Sequence, residues 1–112
     1  MDIQVQRLKD GLTVIAPRGD IDGSTAPAFQ EQVVAAAAPD TGLLLDMSGV
    51  DFMSSAGLRV LLILYRQISA NGGRVVISGL NEPIQEAMSA TGFLKFFTTV
   101  ADRDAGLQAL RQ

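Results

Sequence analysis

Gly42-Leu43-Leu44-Leu45-Asp46, and the pattern Leu58, Leu61, Leu62, Tyr65, Ile68 that follows it across a polar loop, decide the fold. The first is an unbroken apolar run of strand length, as expected of a central strand covered on both faces. Leucine alone does not separate strand from helix; the brevity of the run and its Gly42 and Asp46 flanks favour strand. The second pattern recurs at helical spacing from about Ala56 to Ala70 and is stopped by Asn71-Gly72-Gly73. Ser48 to Ser54 forms the loop between them.

Toward the N-terminus, Ile3 and Val5, then Leu12 and Val14, alternate with polar residues on either side of Asp10-Gly11, a two-residue turn signal that predicts an antiparallel hairpin. Pro17-Arg18-Gly19 and the polar loop Asp20 to Gly23 lead to Ser24 or Thr25 as the N-cap of a helix. Ala26, Phe29, Val33, Ala36 and Ala37 share one face of that helix, Pro27 fits its first turn, and Pro39-Asp40-Thr41-Gly42 ends it. Toward the C-terminus, Arg74 to Ser78 reads as a β-branched strand. Asn81 and Pro83 open a helix to about Ala90, which Gly92 closes; Phe96 to Val100 offers a last strand, and Asp102 caps a terminal helix carrying Ala105, Leu107 and Leu110. The alternation predicts an α/β fold, a single domain over residues 1–112. Its mostly parallel sheet of about four or five strands begins with the antiparallel hairpin and is joined by right-handed crossovers to about four helices.

With 112 residues, 47% of them hydrophobic, the chain is long enough for one domain that buries about two thirds of its unfolded surface. It contains neither Cys nor His, which excludes disulfides, zinc knuckles, Cys or His nucleophile pairs and a conventional serine triad. Metal chemistry would rest on carboxylates alone. The net charge of −3, two lysines and scattered arginines leave no basic stripe for nucleic acid. The apolar stretch Val60 to Tyr65 is far short of the roughly 20 residues of a membrane span, and Met1-Asp2-Ile3 opens no signal peptide, so the expected location is cytoplasmic.

Ligands and partners of an open parallel sheet gather at the carboxyl ends of its strands. Two loops fit that description, Gly19 to Thr25 and Asp46 to Ser55, and they hold Asp20, Asp22, Asp46, Asp51 and several hydroxyl residues. Either Ser54 or Ser55 is placed to cap the helix that follows. A hydroxyl at a helix start also suits a phosphoryl group, because the dipole and free N–H groups favour an anion there. In that helix Val60 and Ile63 point away from the sheet-facing residues: either a neighbouring helix covers them, or with Met53 they form an exposed apolar patch, flanked by Arg59 and Arg66, that suits a protein partner.

The run from Asp46 to Leu58, with Gly19-Asp20-Ile21-Asp22 upstream and Ala90-Thr91-Gly92-Phe93 downstream, resembles a STAS domain of the anti-sigma factor antagonist type, and the resemblance covers nearly the whole chain. In that family a loop reading Asp-Ser-Ser/Thr-Gly-Leu carries a serine that a kinase, itself the anti-sigma factor, phosphorylates. The resemblance places that acceptor at Ser55. The family's Asp falls on Ser54 and its second hydroxyl residue on Ala56, two departures, of which the missing Asp bears on partner choice and phosphorylation rate. Asp22 matches the family's Asp in the neighbouring loop, and Asp20 matches an acidic position more loosely.

The resemblance implies a non-enzymatic switch; together with the helix flank read above, it makes Asp22, Met53, Ser54, Ser55, Ala56, Gly57, Arg59, Val60 and Ile63 the expected partner-binding residues. The implied partners are a serine-kinase anti-sigma factor of histidine-kinase-like ATPase fold and a metal-dependent serine phosphatase; the free protein is expected to be a monomer. An alternative within the family is a ligand-sensing or scaffolding subunit of a transporter or stressosome-like complex that works without phosphorylation. An enzyme using Asp20, Asp22, Asp46 and Asp51 to hold Mg²⁺ lacks a phosphate-clamping lysine and a Gly-rich phosphate loop, and a receiver domain lacks its later-strand lysine. No cofactor is expected.

Overall fold

A computed structural model describes residues 1–37 and 41–112. The elements in chain order are β1 (Asp2–Arg7), β2 (Leu12–Arg18), α1 (Ala26–Ala36), β3 (Gly42–Asp46), α2 (Ser55–Ala70), β4 (Arg74–Ser78), α3 (Glu82–Ala90), a 3₁₀ turn (Leu94–Phe96), β5 (Thr98–Val100) and α4 (Arg103–Leu110). The sheet runs β1-β2-β3-β4-β5, antiparallel between β1 and β2 and parallel elsewhere. The expected α/β class and hairpin are therefore present, with five strands and four α-helices among the described residues.

The order of the strands explains the layers. Successive right-handed crossovers that always step toward the same edge leave their helices on the same face. The core on that face joins residues of α1, α2 and α3, among them Phe29, Val33, Leu61, Leu64, Ile84 and Met88, to Ile15, Leu43, Leu45 and Ile77 of the sheet. After β5 the chain turns back, and α4 packs its Leu110 on Leu12, Val14, Leu44 and Val76 of the other face. β3 lies between β2 and β4 with a helical layer on either side, which is why three consecutive leucines are buried.

α4 comes very close to the sheet at Gly106, where a Cβ would meet Leu44 Cδ1 at 2.5 Å. Both ends of this short helix are held. The Asp102 carboxylate accepts the Ala105 N–H at 2.9 Å, and the Arg74 guanidinium donates to the carbonyls of Ala109, Leu110 and Gln112 at 3.2–3.4 Å.

Several local expectations shift. The hairpin loop spans Leu8 to Gly11 rather than two residues; Leu8 N–H donates to the Leu12 carbonyl at 2.8 Å, and Gly11 takes φ +84°. Thr25 is the N-cap of α1 by position but makes no side-chain cap bond. Pro39 and Asp40, expected to end α1, lie outside the described residues; the helix itself stops at Ala36. In α2 the deeply buried set is Leu58, Val60, Leu61, Leu64 and Ile68, while Leu62 and Tyr65, expected against the sheet, are half-buried. Tyr65 packs instead on the rings of Phe96 and Phe97, at 6.1 and 5.4 Å between centroids. Leu94–Phe96 is a 3₁₀ turn, so the last strand is shorter than expected.

Candidate functional site

The two loops singled out in the sequence run side by side. Ile21 N–H donates to the Phe52 carbonyl at 3.0 Å and Ser54 N–H to the Ile21 carbonyl at 2.8 Å, which makes a parallel bridge between Ile21 and Met53. A second bridge joins Arg18 to Gly49, with Gly19 N–H on the Gly49 carbonyl at 3.0 Å. A third loop secures the other side: the Asn81 side-chain amide donates to the Asp51 and Val50 carbonyls at 3.0 and 3.4 Å, while its oxygen caps α3 by accepting Ile84 N–H. This double use of Asn81 is absent from the sequence reading, in which Asn81 only opens a helix.

The choice between the two serines resolves at the start of α2. Ser54 is the N-cap, its Oγ accepting the Gly57 N–H at 3.4 Å. Ser55 is the first helical residue, exposed, and its hydroxyl has no hydrogen-bond partner among the described residues. Its neighbour Gly57 is buried, and a Cβ there would meet Met53 Cγ at 2.6 Å and the Ile21 carbonyl at 3.0 Å. A side chain at 57 would thus push α2 off the paired loops.

Asp22 organises the adjacent loop. Its Oδ1 accepts from the Ser24 hydroxyl at 2.7 Å and from the Ser24 and Thr25 N–H groups at 2.9 and 3.2 Å, and these bonds, the Ser24 hydroxyl foremost, hold its carboxyl below the usual range. Asp46 is different in kind. Burial pushes its carboxyl up, but the Arg103 guanidinium and the Ser48 hydroxyl and N–H, all bonded to it, bring it below the ordinary value. Asp46 is thus tied to α4 by a 2.8 Å ion pair and is not a free loop carboxylate. Among the described residues no three carboxylates gather where they could hold a metal ion, and no helix is long and apolar enough to cross a membrane.

Of the two readings of this flank of α2, the exposed patch fails, and with it Met53 and Val60 as docking residues. Met53 and Val60 are only 6% and 7% exposed and belong to the main core. Val60 is covered because α1 packs against α2, and Met53 is turned inward by its bridge to Ile21. Ile63 is half-buried, as are Ser54, Ala56 and Asp22, whereas Arg59 and Arg66 are exposed. The apolar side chain that does stand out in this loop is Phe52, three residues before Ser55 and 53% exposed, a residue that the sequence motifs leave out. A phenylalanine inside a loop already dense with polar residues was the available signal.

A sequence model of the STAS domain matches residues 3–105. The chain belongs to the STAS domain family. Among its relatives, BtrV of Bordetella bronchiseptica, named as an anti-sigma factor antagonist, is 30% identical over 105 residues, 91% of this chain and 89% of that protein. The anti-sigma-B factor antagonist of Bacillus subtilis is 27% identical over 90 residues, 80% of this chain and 83% of its own. The crystal structure of an anti-sigma factor antagonist from Mycobacterium paratuberculosis superposes with a TM-score of 0.88 at 28% identity, covering 99% of this chain and 94% of that one. This STAS domain thus has five strands, within the four or five expected, in an architecture shared along nearly its full length.

Proposed function

We propose that this STAS domain is an anti-sigma factor antagonist, a binding protein rather than an enzyme, that works by partner switching in the cytoplasm. Unmodified, it docks on a serine-kinase anti-sigma factor through a face made of Phe52 in the loop before α2 and Ser55, Arg59 and Ile63 of α2, and so displaces that factor's client. The Ser55 hydroxyl oxygen then attacks the γ-phosphorus of ATP held by the kinase, its proton passes to a base of the kinase, and ADP leaves. The phosphoserine carries about −1.5 to −2 charges, which repel an acidic partner surface and resist desolvation, and the complex separates. A metal-dependent serine phosphatase restores the hydroxyl by hydrolysis.

The observation that carries this reading is the division of labour between the two serines. Ser54 takes the structural duty of the cap, which leaves the Ser55 hydroxyl exposed and unpartnered. A dianion at the first turn of a helix is compatible with the fold. The names of the relatives supply the partner class.

The test is to incubate the kinase of the partner pair and ATP with wild type and with Ser55→Ala, and to compare capture of the kinase by wild type and Ser55→Asp. Phosphate transfer to wild type alone, with capture lost in Ser55→Asp, is the expected result. Phosphate on Ser55→Ala, or equal capture by both proteins, overturns the assignment of Ser55.

A further inference from the structure

α2 contains no acidic residue along its whole length. Its outward stripe begins with Ser55 and continues, one turn on, with Arg59; both are exposed. The Arg59 guanidinium has neither an ion pair nor a hydrogen bond among the described residues. Three of the other six arginines are engaged, Arg103 with Asp46, Arg111 with Asp10 and Arg74 with the end of α4; of those left unpaired, Arg59 is the one within a turn of Ser55. Arg59 is therefore a cation without a counter-charge, placed four residues after the proposed phosphoacceptor.

We infer that Arg59 is the counter-ion, in the same chain, of phosphorylated Ser55, so that modification both adds an anion and withdraws a cation from the docking face. The inference rests on the phosphoacceptor reading of Ser55. Residues four apart on a helix have Cβ atoms about 5–6 Å apart, and side chains lean toward the helix N-terminus, which brings Arg59 back over the turn that carries Ser55. An anion N-terminal to a cation at this spacing is the favoured order. A guanidinium also suits phosphate through paired N–H donors. Before modification Arg59 is free to meet a carboxylate of the partner; afterwards the phosphate occupies it. The charge of the 55/59 pair passes from +1 to about −0.5 to −1, with no change of backbone.

The test uses the full chain with phosphoserine installed at position 55 during synthesis, so that no kinase is needed, and follows the ³¹P chemical shift through the second ionisation. The neighbouring loop carboxylates Asp20, Asp22 and Asp51 act on the phosphate equally in wild type and variant, so their difference isolates Arg59. The titration midpoint in wild type should lie about 0.2–0.4 pH unit below that of Arg59→Gln. Arg59→Lys should recover part of the difference. Arg66→Gln, about 16 Å along the helix from Ser55, should match wild type. Identical midpoints in wild type and Arg59→Gln overturn the inference. Failure of any kinase to modify Ser55 would instead remove the switching proposal and leave this measurement intact.

Discussion

Ser54 Oγ lies 3.4 Å from the Gly57 nitrogen and satisfies an N–H at the start of α2, while Ser55, the next residue, contributes nothing to that cap. The two hydroxyls should therefore separate in mutagenesis. Ser54→Ala should cost about 1 kcal/mol, close to 4 °C in melting temperature, and Ser55→Ala less than about 0.5 kcal/mol. Ser54→Asp, which restores the acidic residue usual in such loops, should keep the cap and the melting temperature; its effect should fall on the phosphorylation rate. Thermal melts of the three variants with kinase progress curves decide this, and a larger stability loss in Ser55→Ala than in Ser54→Ala would reverse the assignment.

Phe52 and its neighbour Met53 should behave oppositely. Phe52 is exposed, so Phe52→Ala should leave the melting temperature within a degree or two yet weaken binding to the anti-sigma factor by about 2 kcal/mol, near 30-fold, as an exposed aromatic anchor does. Met53→Ala and Val60→Ala empty core positions and should each cost about 2–4 kcal/mol of stability. Denaturant titrations paired with binding isotherms separate the two classes.

The Asp46–Arg103 pair gives the acid limb of the stability curve a specific contributor. Asp46 titrates below its ordinary value when folded, so the unfolded chain binds the proton more readily there. Its contribution is complete above about pH 4, the ordinary carboxylate value, and is lost as pH falls through the folded value. Asp46→Asn should cost about 1–3 kcal/mol at neutral pH, toward the lower end because Arg103 is 41% exposed and regains water. Below pH 4 the variant's stability should fall less steeply than that of wild type, the remaining slope coming in part from Asp10 and Asp22, whose carboxyls are also lowered. Parallel urea melts between pH 2.5 and 7, both set as about the range spanned by carboxylate titration, read out the difference.

Arg74 binds carbonyls in and just beyond the last turn of α4. Arg74→Ala should cost about 1 kcal/mol and loosen that helix before anything else. Hydrogen exchange should speed up in Arg103–Leu110 while the amides of β3 and α2 keep their protection. Uniform acceleration across the chain would count against the local role.

What could be read from the sequence was whatever depends on near neighbours along the chain. Leu43 to Leu45, the Asn71-Gly72-Gly73 stop and the caps at Asn81 and Asp102 all act within a turn or a strand, and the structure has them where expected. Val60 was ambiguous because a single helical stripe presumes a single neighbour, whereas α2 touches both the sheet and α1 and so buries a wider arc. Met53 and Phe52 are hard to tell apart for a related reason. The bridge between Ile21 and Met53 joins residues from separate loops, and no local periodicity reports which of two adjacent apolar side chains such a pairing turns inward. Asp46 reads as one more loop acid in the sequence because its partner, Arg103, comes from the far end of the chain.

The Ile21–Met53 bridge has a bearing on kinetics as well as on shape. Both side chains are sealed in the interior, so the segments bearing Asp22 and Ser55 travel as one body. Whatever meets this end of the molecule encounters a mould that has already set. The ordering entropy was surrendered during folding, and recognition should proceed with little rearrangement, a modest heat-capacity signature and an association rate governed by charge and diffusion.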